Sequence, residues 1–206
     1  MPVRTDFDGL AQALGGAGGT GRRIVAVAGA PGSGKSTFAE RLAGRLGGAV
    51  LPMDGFHYDD VVLVARGHRP RKGAPHTFDV DGLATTLARL AADDGREVAV
   101  PVFDRSIEIA RAGARIIGPE VRTVVVEGNY LLLDDPAWAS LRAHFDATVM
   151  LDVPMPVVEA RLLDRWHGFG LEGEALRAKM EENDLPNARL VVGGSVPADF
   201  LVPNDD

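Results

Sequence analysis

Apolar positions along the chain follow two spacings, and the two spacings alternate. Short apolar runs rich in β-branched residues predict strands, and apolar residues three and four positions apart predict helices. The strand-like runs cover 24–28, 49–53, 98–103, 122–126 and 148–153, with a further short one near 200–202. The helical spacing covers 5–14, 35–46, 81–94, 136–145, 155–166 and 172–182. Strands that alternate with helices predict an α/β fold, in which helices cover both faces of a parallel sheet.

Two segments interrupt this alternation. The glycine-rich run 15–21 predicts a flexible link after the N-terminal helix. The polar stretch 54–78 is predicted to be a long loop, and loops of that length usually serve binding. Since neither an internal repeat nor a second apolar unit is evident, we expect one domain over 1–206.

Composition narrows the classes of function. The chain has 206 residues, a net charge of −7 and no cysteine, which excludes disulfides and cysteine-bound zinc. Positive charges never run beyond adjacent pairs, so we expect no nucleic-acid partner. Residues 1–14 lack the apolar centre of a secretory signal, and no apolar stretch approaches the ~20 residues that span a bilayer. These features predict a cytoplasmic protein with no membrane partner.

One motif carries specific chemistry. It follows the first long strand and opens a helix, and it reads Gly29-Ala30-Pro31-Gly32-Ser33-Gly34-Lys35-Ser36, with Thr37 next. This matches the phosphate-binding pattern G-x-x-x-x-G-K-[ST] at every position. Its backbone N–H groups would hold phosphate oxygens, Lys35 would reach the β- and γ-phosphates, and the Ser36 hydroxyl would ligate Mg²⁺. The motif predicts a nucleotide site.

Two carboxylates follow predicted strands. Glu127 ends the run 122–126 and Asp54 follows the run 49–53. The carboxyl ends of parallel strands surround the ligand crevice, so Glu127 is placed to hold Mg²⁺ and Asp54 to accept a proton from a phosphate acceptor. The structural alternatives are a solvated strand end for Glu127 and a turn-forming Asp-Gly for Asp54.

With these residues the chain resembles the phosphoribulokinase/uridine kinase family of P-loop kinases, over roughly 22–202. The shared pieces are the phosphate loop, Met53-Asp54-Gly55-Phe56, Arg71-Lys72-Gly73-Ala74-Pro75, Phe78-Asp79, Pro101-Val102-Phe103-Asp104, Glu127-Gly128, and Arg161 with Arg165. The third piece is most similar to pantothenate kinases, and Phe78-Asp79 and Phe103-Asp104 are more similar to uridine kinases. Ser106-Ile107-Glu108 departs from the Tyr and His pattern of the latter.

The resemblance implies a P-loop NTPase fold with a five-stranded parallel sheet, a helical lid over 161–185, ATP and Mg²⁺ as cofactors, and a homodimer as a permitted assembly. It implies that Asp54 is the catalytic base, that Ser36 and Glu127 hold the metal, and that Arg161 and Arg165 act with Lys35 in catalysis. Asn187 would lie near the adenine. The implied acceptor pocket contains His57, Arg71, Phe78, Asp79, Phe103, Asp104 and Tyr130.

The expected activity is transfer of the γ-phosphate of ATP to a hydroxyl of a small metabolite. The acceptor stays open between a sugar, a nucleoside and a pantothenate-like alcohol, and compact chains of this kind are often provisionally named fructokinases. A P-loop NTP hydrolase and a nucleotide-binding regulator are the alternatives. A GTPase is disfavoured because the sequence has no Asn-Lys-x-Asp guanine motif.

Overall fold

The computed structural model describes residues 1–16 and 21–204, so most of the predicted link 15–21 lies outside the described residues. The strands are β1 (Val3–Arg4), β2 (Arg23–Ala28), β3 (Ala49–Pro52), β4 (Val98–Asp104), β5 (Ile109–Ile117), β6 (Thr123–Gly128), β7 (Ala147–Asp152) and β8 (Phe200–Pro203). The helices are α1 (Phe7–Gly15), α2 (Lys35–Leu46), α3 (Asp60–Ala65), α4 (Val80–Ala92), α5 (Pro136–Ala139), α6 (Met155–Gly168), α7 (Gly173–Ala178) and α8 (Leu185–Gly194).

Six strands form one parallel sheet in the order β1-β8-β7-β2-β6-β3. The α/β fold with a parallel sheet is confirmed, but the predicted number of five strands is wrong. The sixth strand is β1, whose two residues are too few to show any periodicity. A further strand, β5, was not predicted at all. It pairs with β4 in a separate antiparallel hairpin outside the parallel sheet.

The sheet is apolar on both faces because helices cover both. On one face, Val25 and Val27 of β2 pack with α1 and α2 residues such as Phe38 and Leu42. On the other, Ile24 packs in a larger cluster with the leucines of α4 and with Trp138. A third cluster joins α6 and α8 to Ala30 of the phosphate loop. The helical part at the C-terminal end therefore rests directly on the loop that is predicted to bind phosphate.

Helical structure also departs from the prediction, since α8 was not predicted and the predicted helix 136–145 is α-helical only over Pro136–Ala139. The segment 54–78, predicted to be a loop, contains the short helix α3, whose first turn is capped by the Asp59 side chain. The predicted helix 172–182 is α7 followed by one π-helical turn, Lys179–Asp184, which leads straight into α8. Within the described part of the chain, no helix has the length and apolarity that a membrane span requires.

The strand order determines where the functional groups meet. β6 lies between β2 and β3, and Glu127 of β6 is level with Val27 on one side and Pro52 on the other. The phosphate loop leaves β2 and Asp54 leaves β3, so both emerge beside the carboxyl end of β6. Because all three strands run parallel, their functional groups gather at the carboxyl ends of the strands.

Candidate active site

The phosphate loop has the backbone shape that its glycines permit. Gly32 and Gly34 have φ angles of 80° and 78°, in the left-handed region that favours glycine. Gly34 precedes α2, and no side chain caps this helix. The first N–H groups of α2 are therefore available to an anion, and the helix dipole favours negative charge there. This geometry is that of a phosphate site.

A contact from the C-terminal end of the described chain supports the loop. The Asn204 side chain donates through Nδ2 to the Ser33 carbonyl at 2.6 Å. Arg161 donates through Nη1 to the Asn204 carbonyl at 2.9 Å. Arg161, predicted to act on the phosphates, is thus linked to the phosphate loop through Asn204. Its predicted catalytic role stays a prediction.

The predicted metal-binding pair, Ser36 and Glu127, lies beside the loop. The Ser36 hydroxyl donates to Oε2 of Glu127 at 3.3 Å, and Glu127 is only 6% exposed. A hydroxyl and a carboxylate are oxygen ligands of the kind that Mg²⁺ prefers, so the two residues fit this ion. Among the described residues, no cluster of three or more acidic, histidine or cysteine side chains is suited to a metal. An ion held here would take its other ligands from phosphate oxygens and water.

Charges in the site shift several pKa values. Burial raises the pKa of Glu127 to about 7, against the attraction of Lys35, and the nearby Asp54 adds to the rise. Burial lowers the pKa of the Lys35 ammonium, although Glu127 and Asp54 oppose the change. Burial alone would raise the pKa of Asp54, but His57, Arg105 and Lys35 outweigh it and bring that pKa below its ordinary value. Asp54 is therefore a carboxylate at neutral pH, as a proton acceptor must be.

Asp54 faces the phosphate site. It lies in a short 3₁₀ turn, Met53–Phe56, directly after β3. A cavity of about 140 Å³ is lined by Asp54 together with Ser36, Glu127, Phe103 and Arg105, among others. The predicted base and the predicted metal ligands thus open on the same small space. The charge of Arg165 acts on both Lys35 and Asp54, which puts this α6 arginine near the same centre.

The predicted acceptor residues separate into two groups. Phe103 lines the cavity at Asp54, and the His57 ring lies 4.8 Å from the Phe103 ring and 4.0 Å from the Phe78 ring. Phe78 and Arg71 instead line a second cavity of about 700 Å³, whose wall includes Trp138.

The three remaining predicted acceptor residues have structural contacts. Tyr130 is fully buried, and its hydroxyl donates to the Gly73 carbonyl at 2.7 Å, so it supports the 71–75 segment from inside the core. Asp79 caps α4 by accepting from the Gly82 N–H. Asp104 accepts from the N–H and the hydroxyl of Ser106 and pairs with Arg111.

Asn187 lies on the side of the larger cavity. Its Nδ2 group donates to Asn183 at 3.3 Å, and Asn183 in turn donates to the Lys72 carbonyl at 3.1 Å. Asn187 and Arg71 both line the 700 Å³ cavity. The structure therefore associates Asn187 with the segment that was predicted for the acceptor, and its predicted place beside the adenine stays a prediction.

Sequence reasoning missed Arg105. Arg105 pairs with Asp54 through Nη2 and Oδ2 at 2.7 Å. Lys72, mostly buried, pairs with Asp60 and donates to the Glu108 carbonyl. Lys72 belongs to the shared piece Arg71-Lys72-Gly73-Ala74-Pro75. Arg105 follows Phe103-Asp104 in the sequence, but its position beside Asp54 depends on the hairpin, which nothing in the apolar pattern of 109–117 predicted.

Known proteins resemble this chain over most of its length. No protein-family model matches it. The Escherichia coli protein YggC, described as uncharacterised, is 34% identical and aligns over 88% of this chain and 77% of its own. A Schizosaccharomyces pombe protein provisionally named a uridine kinase is 33% identical over 88% of this chain and 83% of its own.

A solved structure agrees closely in both sequence and fold. A protein of Silicibacter sp. TM1040, provisionally described as a fructose transport system kinase, is 45% identical to this chain. The two superpose with a TM-score of 0.89 over 96% of this chain and 98% of the other. Together with the phosphate loop and the carboxylates at adjacent strand ends, these similarities show that the chain belongs to the phosphoribulokinase/uridine kinase family of P-loop kinases.

Proposed function

We propose that this protein transfers the γ-phosphate of ATP to a hydroxyl group of a small metabolite. The observation that carries the proposal is the shared cavity of Asp54, Ser36 and Glu127 beside the phosphate loop. A proton acceptor next to a triphosphate site is what transfer to an alcohol requires. Hydrolysis needs only a positioned water molecule.

Each residue of the site has a separate part in the proposed transfer. The N–H groups of the phosphate loop and the first turn of α2 hold the triphosphate, and Lys35 offsets charge on the β- and γ-phosphates. Ser36 and Glu127 would hold Mg²⁺, which supplies positive charge to the phosphate oxygens. Asp54 orients the acceptor hydroxyl and takes its proton while the bond from the hydroxyl oxygen to the γ-phosphorus forms and the bond from that phosphorus to ADP breaks. Arg165, near the same centre, would add positive charge as transfer proceeds.

The acceptor is proposed to be a polar, polyhydroxylated compound. The site next to Asp54 combines the Phe103 ring, against which His57 packs, with the charged groups of Arg105 and Asp54. Aromatic surface with a few polar groups suits a small molecule that carries several hydroxyls. The provisional names of the relatives, which mention fructose and uridine, and the pantothenate kinase resemblance supply the first compounds to test.

The experiment is a screen for ADP formation with MgATP against sugars, nucleosides and pantothenate. Products are separated so that a phosphate ester is distinguished from inorganic phosphate. We expect one acceptor class to raise ADP formation and to appear as its phosphate ester. Steady release of ADP and inorganic phosphate that no acceptor changes would instead identify a hydrolase.

A further inference from the structure

The turn between β4 and β5 brings a cation onto the predicted base. Arg105 stands at this turn, and its Nη2 lies 2.7 Å from Oδ2 of Asp54. The other carboxylate oxygen, Oδ1, has no hydrogen-bond partner within 1–16 and 21–204. The Asp54 side chain is 25% exposed, so a ligand can reach it. One oxygen is therefore held, and the other is open to an acceptor hydroxyl.

Lys72 anchors the same turn. Its Nζ donates to the Glu108 carbonyl at 2.6 Å and to Oδ1 of Asp60 at 2.6 Å, and its side chain is only 8% exposed. The ammonium group also lies 5.4 Å from the centre of the Phe103 ring. At the start of the turn, the Asp104 carboxylate accepts two hydrogen bonds from Ser106. The turn is thus fixed to the body of the protein at Glu108 and held in shape locally by Asp104 and Ser106.

Stability alone gives little reason for this arrangement. The Arg105 side chain is 57% exposed, and ion pairs with an exposed partner typically contribute less than ~1 kcal/mol. The turn is anchored and places the Arg105 cation against the carboxylate of the proposed base. This arrangement is suited to fixing the orientation of that carboxylate. Displacement of a catalytic group by about 1 Å can lower the rate ~10²-fold.

We propose that Arg105 is a positioning residue, which holds Oδ2 of Asp54 so that Oδ1 faces the acceptor hydroxyl beside the phosphate loop. The inference rests on the proposed function, because it assigns Asp54 the part of base. Arg105 acts through Asp54, and Lys72 acts through the turn that carries Arg105.

The first test is a double-mutant cycle. Arg105→Gln, Asp54→Asn and their combination are assayed for ADP formation with fructose, uridine and pantothenate. Arg96→Gln is the control, since Arg96 is an exposed arginine that pairs with its neighbour Asp94. We expect Arg105→Gln to lower kcat by ~10- to 100-fold with an unchanged KM for ATP. Arg105→Lys should recover part of the loss, and the control should match the wild type.

The double variant distinguishes whether Arg105 acts through Asp54 or independently of it. If Arg105 acts through Asp54, the double variant is no slower than Asp54→Asn alone. Losses that multiply would overturn the proposal, because Arg105 would then act independently, and so would full activity of Arg105→Gln. Unchanged melting temperatures establish that the variants fold.

The second test needs no acceptor. The protein is labelled with ¹³C at its aspartate carboxyls for NMR. The Asp54 signal is identified as the one that is absent from the spectrum of Asp54→Asn, and its chemical shift is then followed as the pH is changed. His57, Lys35 and Arg165 also act on this carboxyl and remain in place. Loss of a cation in contact should raise the pKa of Asp54 by about one unit or more in Arg105→Gln, with partial restoration in Arg105→Lys.

The two tests separate the inference from the proposed function. An Asp54 titration that Arg105→Gln leaves unmoved contradicts the contact, and with it the positioning role, whatever the turnover. A shifted titration together with ATP turnover that no acceptor stimulates would retain the contact while refuting the kinase.

Discussion

Replacing Glu127 by glutamine should change how stability depends on pH. Burial raises the pKa of this carboxyl from 4.5 to about 7 in the folded chain. Between these values the folded state holds a proton that the unfolded state has released. The extra stability is therefore fully present below pH 4.5 and is lost as the pH rises through 7. Glutamine has no such proton to lose.

The magnitude follows from the two pKa values. Each tenfold change in proton affinity is worth about 1.4 kcal/mol, so the rise from 4.5 to about 7 corresponds to about 3 kcal/mol in total. Most of it falls between pH 5 and pH 8. Over that range, the free energy of unfolding of the wild type should decline by about 2–3 kcal/mol relative to Glu127→Gln. A constant offset from the altered contact with Lys35 does not affect this difference.

The assay is urea unfolding followed by tryptophan fluorescence, with EDTA present and nucleotide absent, at several values of pH from 5 to 8. Glu159→Gln, an exchange at an exposed position, is the control for the chemistry of the substitution. Parallel stability curves for the wild type and Glu127→Gln would refute the account, since they would mean that Glu127 is solvated. Glu127→Gln should also lose magnesium-dependent turnover, although its stability should no longer decline as the pH rises from 5 to 8.

Three further substitutions test other parts of the account. Lys35→Met should abolish measurable MgATP binding in calorimetry, because Lys35 is the only side-chain cation of the phosphate motif, and undiminished binding would contradict its role. Tyr130→Phe leaves the Gly73 carbonyl without its donor and should lower the free energy of urea unfolding by ~1 kcal/mol, whereas no change would mean that water replaces the hydroxyl. Asn204→Ala removes the donor to the Ser33 carbonyl and should raise the KM for ATP several-fold, and an unchanged KM would show that the phosphate loop holds its shape alone.

Local signals in the sequence predicted the elements that have strong end signals. The helix 35–46 was predicted with its observed bounds, because the phosphate motif defines its start and Gly47, with a φ angle of 62°, defines its end. The strand at 24–28 was predicted within one residue, since its apolar run is buried on both faces. These features depend on neighbours in the sequence, which is why pattern analysis finds them.

The prediction was wrong for elements whose secondary structure depends on tertiary contacts. The nine residues of β5 have isoleucines only at the two ends, with alanines, a glycine and two arginines between them, and are mostly exposed, so no continuous apolar run marks them. They form a strand because they pair with β4. β1 has only two residues and is a strand because it pairs with β8. The five-stranded sheet was implied by the family resemblance, and the observed sheet has β1 in addition.

The candidate site shows the same division. The phosphate loop and the strand-end carboxylates follow from motif and topology together, and the shared cavity of Asp54 and Glu127 agrees with that reasoning. Arg105 is 51 positions from Asp54, and their contact exists because a hairpin folds back over the sheet edge. Tyr130, an acceptor-pocket candidate in the sequence, is fully buried because its hydroxyl has the Gly73 carbonyl as a partner.

The central claim is that Asp54 accepts the proton of an acceptor hydroxyl beside the bound triphosphate. The most direct test is Asp54→Asn, assayed by calorimetry for MgATP binding and by single-turnover transfer to the acceptor found in the screen. The account predicts unchanged MgATP affinity and a loss of transfer of ~10²- to 10⁴-fold, as removal of a general base typically causes. Transfer at the wild-type rate in this variant would contradict the claim.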